Sequence, residues 1–167
     1  MRKLVPIGFT LVVLVSACSP GDPTTQSSQE SEHGGHAMDM GGEGFAFGEP
    51  GNQSEADRMV EISALDSLEF DPKMLEVQSD VTITFVVTNG GKNIHEFVLG
   101  DESYQQEHAT EMSGGGQMGS GANKIEIEPG STKSLTWTFT QPGNVLYGCH
   151  EPGHYEGGMV GAIAVSA

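Results

Sequence analysis

From Arg58 to Ser166 the chain is built of short segments of alternating or β-branched residues, most of them cut off by a turn signal. Ser134-Leu135-Thr136-Trp137-Thr138-Phe139-Thr140 alternates cleanly and stops at Pro142-Gly143. Lys124-Ile125-Glu126-Ile127-Glu128 alternates and stops at Pro129-Gly130. Val81 to Thr88 is β-branched and runs into Asn89-Gly90-Gly91. Met59 to Leu65, Met74 to Val77, Ile94 to Leu99, Val145 to Cys149 and Gly161 to Ser166 complete the set. Alternation places successive side chains on opposite faces of a sheet, so each segment can bury one face. About eight such strands with regular turn signals predict an all-β fold, a Greek-key β-sandwich. The stretch 101–122 breaks the pattern. Asp101 to Met112 reads as one short helical insertion, which Gly114-Gly115-Gly116 ends.

The N-terminal third has a different character. Arg2 and Lys3 precede an apolar stretch from Leu4 to Val15, which matches an export signal. Its ending, Val15-Ser16-Ala17-Cys18, resembles a bacterial lipobox, in which the cysteine is lipidated and becomes the first residue of the exported protein. Residues 1–17 are therefore expected to be a lipoprotein signal peptide. Residues 19–57 hold no Lys or Arg and, beyond Phe45 and Phe47, little apolar surface to offset the entropy of ordering. A disordered acidic tether over 18–57 and a folded domain over 58–167 are the expected division.

Charge narrows the partners. Seven basic residues stand against 23 acidic ones, a net charge of −16. Nucleic acid is excluded as a partner, because phosphate binding needs clustered Lys and Arg. Adhesion to anionic headgroups is excluded for the same reason. No apolar run reaches the roughly 18 residues of a spanning helix, so the membrane is reached only through the lipid anchor at Cys18.

The chemistry lies in Tyr147-Gly148-Cys149-His150-Glu151-Pro152-Gly153-His154-Tyr155-Glu156-Gly157-Gly158-Met159, where a thiol, an imidazole and a thioether are spaced Cys-x4-His-x4-Met. His95, after the Asn89-Gly90-Gly91 turn, adds an imidazole. One thiolate, two imidazoles and a weak thioether are the blue-copper donor set. Thiolate and thioether are soft and suit Cu(I), while imidazole suits both oxidation states. His150 competes with His154 for the role. Neighbours at a strand end point to opposite sides, so Cys149 and His150 do not share one metal, and His150 is expected at the rim. Trp137 and Phe139 read as sandwich core rather than electron relays.

On these residues the chain resembles the cupredoxin family, the type 1 blue copper proteins, with plastocyanin and azurin and especially auracyanin and rusticyanin as relatives. The resemblance covers roughly residues 58–166. It implies one type 1 copper per domain held by His95, Cys149, His154 and Met159. Many members have Asn or Ser directly after the first histidine ligand, linking it to the cysteine loop. This chain has Glu96 there, with Asn93 as the candidate substitute.

A second set of soft donors lies elsewhere. His33, His36, Met38 and Met40 fall within eight residues, and His108 and Met112 stand four apart on the expected helix, with Met118 beyond. These are candidates for secondary copper. The expected function is a one-electron carrier, exported and lipid-anchored at the outer face of the cytoplasmic membrane or in the periplasm. The alternative is a copper-binding protein for tolerance or delivery. An enzyme is not expected, because six histidines with no His-x-His pair give no second metal site. A monomer with an unidentified redox protein as partner is expected.

Overall fold

The computed structural model describes residues 45–116 and 119–167. The described part holds ten strands in two five-stranded sheets. The strands are β1 (Glu49–Pro50), β2 (Arg58–Leu65), β3 (Glu69–Asp71), β4 (Met74–Gln78), β5 (Val81–Asn89), β6 (His95–Gly100), β7 (Lys124–Ile127), β8 (Thr132–Phe139), β9 (Gly143–Gly148) and β10 (Val160–Ser166). One sheet has the order β1-β8-β5-β2-β3 and the other β4-β10-β9-β6-β7. The excess over eight comes from β1 and β3, two and three residues long, too short to leave a period in the sequence. The helix α1 (Glu102–Ser113) forms where the sequence places it. Asp101 Oδ1 accepts from Tyr104 N at 2.9 Å at its start. Gly114 N reaches back to Thr110 O and Glu111 O at its end.

The core fills the space between the sheets. Ile62, Ile83, Phe85 and Phe139 face Phe97, Leu99, Tyr147 and Ile163, all almost fully buried. Phe85 of one sheet meets Phe97 of the other at a ring separation of 5.4 Å. Trp137 and Phe139 are wholly buried in this core, as the alternation of β8 requires.

The expected boundary at residue 58 is too late. Phe47 is buried and stacks on Trp137 at 5.2 Å, and Trp137 Nε1 donates to Phe47 O. Phe45 packs on both rings at 5.2 Å. The following residues pair as β1 with β8, and Asp57 Oδ2 accepts from Thr82 N at 2.9 Å. A strap docked on a finished sheet needs no core of its own. Two aromatic rings supply the burial that the average composition of residues 18–57 hides.

Candidate metal centre

Strands β6 and β9 share the register Val98↔Gly148 and Leu99↔Tyr147. Alternation turns His95, Phe97 and Leu99 of β6 inward, and likewise Val145 and Tyr147 of β9 with Cys149 just beyond it. His95 therefore enters the core side at one strand end, beside Cys149 at another.

The approach to His95 is held from both sides. Asn89, fully buried, donates through Nδ2 to Asn93 O at 2.8 Å and Ile127 O at 2.9 Å, and its Oδ1 accepts from Gly91 N at 2.8 Å. Asp66 accepts from Lys92 N at 2.8 Å and Asn93 N at 3.3 Å. These backbone amides, Lys92 foremost, hold the Asp66 carboxyl below its ordinary range. A Cβ on residue 91 would meet the Asp66 carboxyl, so any larger residue there would push Asp66 out of this position. Asp66 Oδ1 also lies 3.4 Å from His95 Nε2, off the hydrogen-bond line.

The loop after β9 closes on itself. His154 N donates to Glu151 O at 2.9 Å, Met159 N to His154 O at 3.0 Å and Cys149 N to Met159 O at 3.1 Å. Gly153 (φ 83°) and Gly158 (φ 98°) take left-handed conformations that only glycine adopts without strain. Two of the three backbone bonds tie Met159 to His154 and to Cys149, and the third folds His154 back on Glu151.

Side-chain donors from the two segments converge. Cys149 Sγ lies 3.8 Å from His95 Nδ1 and 3.4 Å from His154 Nδ1, and the two imidazole rings are 5.1 Å apart. One ligand atom from each of the three residues falls within 4.8 Å of the others. His95, Cys149 and Met159 are fully buried and His154 is half-buried. Burial pushes the Cys149 thiol up to about 11, against the opposing pull of amide donors from Glu96 and Glu151. Burial, with the nearby His154, pushes His95 down. Burial keeps the His95 nitrogen free of a proton, as a metal ligand must be, and would make a Cys149 thiolate costly unless a cation bound it. The donor chemistry therefore fits copper.

Several expectations change. His150 does point away from Cys149, but it is buried at 4% exposure rather than at the rim. Its ring stacks on Tyr155 at 4.5 Å and its Nε2 donates to Gln105 Oε1 at 2.7 Å. Burial lowers its pKa to about 4. Asn93 does not supply the link to the cysteine loop, because it hydrogen-bonds to Asp66. The backbone of Glu96 makes that link instead, its N–H donating to Cys149 Sγ at 3.3 Å. His108 is buried, and its two ring nitrogens face Glu96 Oε2 at 3.0 Å and Glu111 Oε2 at 3.5 Å. Met112 lines the groove between α1 and the loop carrying His150 and Tyr155. As a secondary copper pair, His108 is thus already committed to carboxylates. Cys18, His33, His36, Met38 and Met40 lie outside the described residues. Sequence reasoning missed Asp66, Asn89 and Gln105. Only the Asn89-Gly90-Gly91 turn carried a signal for any of them.

Comparison with known proteins agrees with this geometry. Residues 56–166 match the model of the copper binding proteins of the plastocyanin/azurin family. The chain is 36% identical to the copper-resistant cuproprotein CopI of Pseudomonas aeruginosa, over 73% of this chain and 83% of the relative. It is 34% identical to the copper-resistant cuproprotein CopI of Vibrio cholerae, over 97% of each chain. Among solved structures it resembles the dithionite-reduced auracyanin of Roseiflexus castenholzii, with a TM-score of 0.60 and 27% identity over 67% of this chain and 99% of that one.

Proposed function

This chain belongs to the plastocyanin/azurin family of copper-binding proteins, and we propose that it is an exported type 1 copper protein that carries single electrons, with His95, Cys149, His154 and Met159 as ligands. The convergence of His95, Cys149 and His154 within 4.8 Å carries the reading. Bound copper supplies one-electron chemistry between its +1 and +2 states. The chain supplies the rest. The sandwich fixes His95 and Cys149 at adjoining strand ends, so the donors need little rearrangement between states. Burial of both, and of Met159, excludes water. Copper would be held by the Cys149 thiolate, so loading would be easier as pH rises. The half-buried edge of His154 is the route for electrons to a redox partner. Cys18, if lipidated, anchors the domain at the outer face of the cytoplasmic membrane.

A second reading, copper tolerance or delivery, is favoured by one observation. Relatives 34–36% identical over most of their length are named copper-resistant cuproproteins. Voltammetry of the domain from Phe45 onward, beside a Cu(I) titration of the full exported chain, separates the two. Fast reversible redox with one copper per chain supports the carrier. Several Cu(I) per chain, lost when His33, His36, Met38 and Met40 are changed to Ala, supports tolerance.

A further inference from the structure

The residues that directly follow the two buried ligands share an unusual fate. Glu96 follows His95 and His150 follows Cys149, and alternation sends both to the outer face of the sheet. That face is not in solvent, because α1 lies across it and all six residues of β6 are buried. Two side chains one helical turn apart on α1 meet the two residues. His108 Nε2 donates to Glu96 Oε2 at 3.0 Å. Gln105 Nε2 donates to Val98 O of β6 at 2.9 Å and to Leu146 O of β9 at 3.4 Å. Gln105 Oε1 can only accept, so it takes the Nε2–H of His150, at 2.7 Å. The His108 and His150 rings then close the set edge-on at 4.8 Å.

The packing is too tight for a mere cover. A Cβ on Gly148 would come 2.9 Å from Gln105 Oε1, and one on Gly100 would strike the Tyr104 ring at 2.5 Å. Glu96 is fully buried, and its Oε1 has no hydrogen-bond partner. Burying a carboxylate with one oxygen unpaired is costly, so stability alone does not account for its position. What its position serves is visible one bond away. The amide of Glu96 is the donor to Cys149 Sγ.

We propose that α1 is a clamp on the copper site, in which His108 and Gln105 are positioning residues that fix Glu96 and His150 and so set where His95 and Cys149 stand. His108 locks the Glu96 amide on the sulfur. Gln105 locks the end of β9 against β6. Outer contacts of this kind orient ligands and tune the metal they hold. The inference rests on His95 and Cys149 being ligands.

The test uses the full chain with His108→Leu, His108→Gln, Gln105→Met and, as a control on the exposed face of α1, Glu107→Gln. The amide nitrogen of Gln reproduces the position of the histidine Nε2 donor. In copper-loaded protein, His108→Leu and Gln105→Met should shift the visible thiolate band and the reduction potential and weaken copper binding about tenfold or more. His108→Gln and Glu107→Gln should stay near wild type. In metal-free protein, alkylation of Cys149 should speed up in His108→Leu and Gln105→Met, a readout that needs no copper. Unchanged band, potential and alkylation rate in both disrupting variants would overturn the clamp, even if their unfolding midpoints fell. Equal effects of His108→Leu and His108→Gln would overturn the role given to the donor. A wild-type protein that shows no copper band would sink the ligand assignment instead.

Discussion

The two sheets of this sandwich are used differently. The sheet built on β5 and β8 packs its inner face on the core and leaves its outer face open to water at the Thr88–Thr132 end. Its inner positions Ile83, Phe85, Leu135 and Trp137 fill the core, and its outer positions form a ladder of threonine pairs, Thr82–Thr138, Thr84–Thr136 and Thr88–Thr132, at 2.8–2.9 Å. The sheet built on β6 and β9 is covered on both faces where it carries the site, by the core within and α1 without. An outer face that carries only threonine pairs and is open at its Thr88–Thr132 rung gives a scaffold that tolerates change there. Two-sided burial fixes a strand from both directions, which is what a metal site of constant geometry requires. Stability should therefore be separable from the copper signature by choosing the sheet.

The largest effect expected lies on the doubly buried sheet. Cys149→Ser should abolish the intense visible band outright, since a hydroxyl cannot replace the soft thiolate as charge donor. The fold should survive, because the exchange is nearly isosteric in a loop held by backbone bonds. An absorption spectrum after copper loading, paired with circular dichroism, reads both. A retained band would remove Cys149 from the site.

A smaller effect, of a different kind, is expected from the scaffold sheet. Ile83 is fully buried and pairs with Trp137 at the end of β5 remote from Asn89 and the site. Ile83→Ala should cost about 3 kcal/mol, the transfer and cavity terms of a truncated core residue. Denaturant unfolding of the metal-free chain would measure it. The visible band and reduction potential should stay where they are. A shift in either would mean that the scaffold transmits strain to the copper and that the two sheets are not separable.

This division also explains what was legible from sequence. Strands β7 and β8 alternate because their outer positions keep some water, and β5 is marked by its β-branched run, so all three read directly. Cys149, His154 and Met159 stand in order along one loop and His95 lies apart on β6, so the four proposed ligands could be named from donor chemistry and family resemblance together. The outer face of β6 and β9 resists such reading. Alternation assigns Glu96 and His150 to the outside and stops there. That a helix then buries them depends on contacts between residues 96 and 108 and between 105 and 150, which no local period encodes. Asp66 is hidden for the same reason, since it meets His95 only once β2 and β6 are in place. The strap from Phe45 to Asp57 escaped because a segment docked on an existing sheet looks like linker in composition.

The smallest effect sharpens the contrast most. Thr88 and Thr132 form the exposed rung of the threonine ladder, their hydroxyls 2.9 Å apart. Thr88→Val removes one hydroxyl and keeps the β-branched shape that a strand prefers. The hydroxyl left on Thr132 can turn to water, so no buried polar group is orphaned. The cost should be within about 0.5 kcal/mol, the range for surface positions free of special features. Yet Thr88 sits beside Asn89, whose side chain anchors the loop into His95. If rigidity of the site came from the scaffold sheet as much as from α1, loosening this rung would move the copper band or the potential despite the trivial loss of stability. The expected result is that neither moves in the loaded protein. Side-by-side voltammetry of Thr88→Val and His108→Leu decides it, and a larger shift in the threonine variant would reverse the roles assigned to the two sheets.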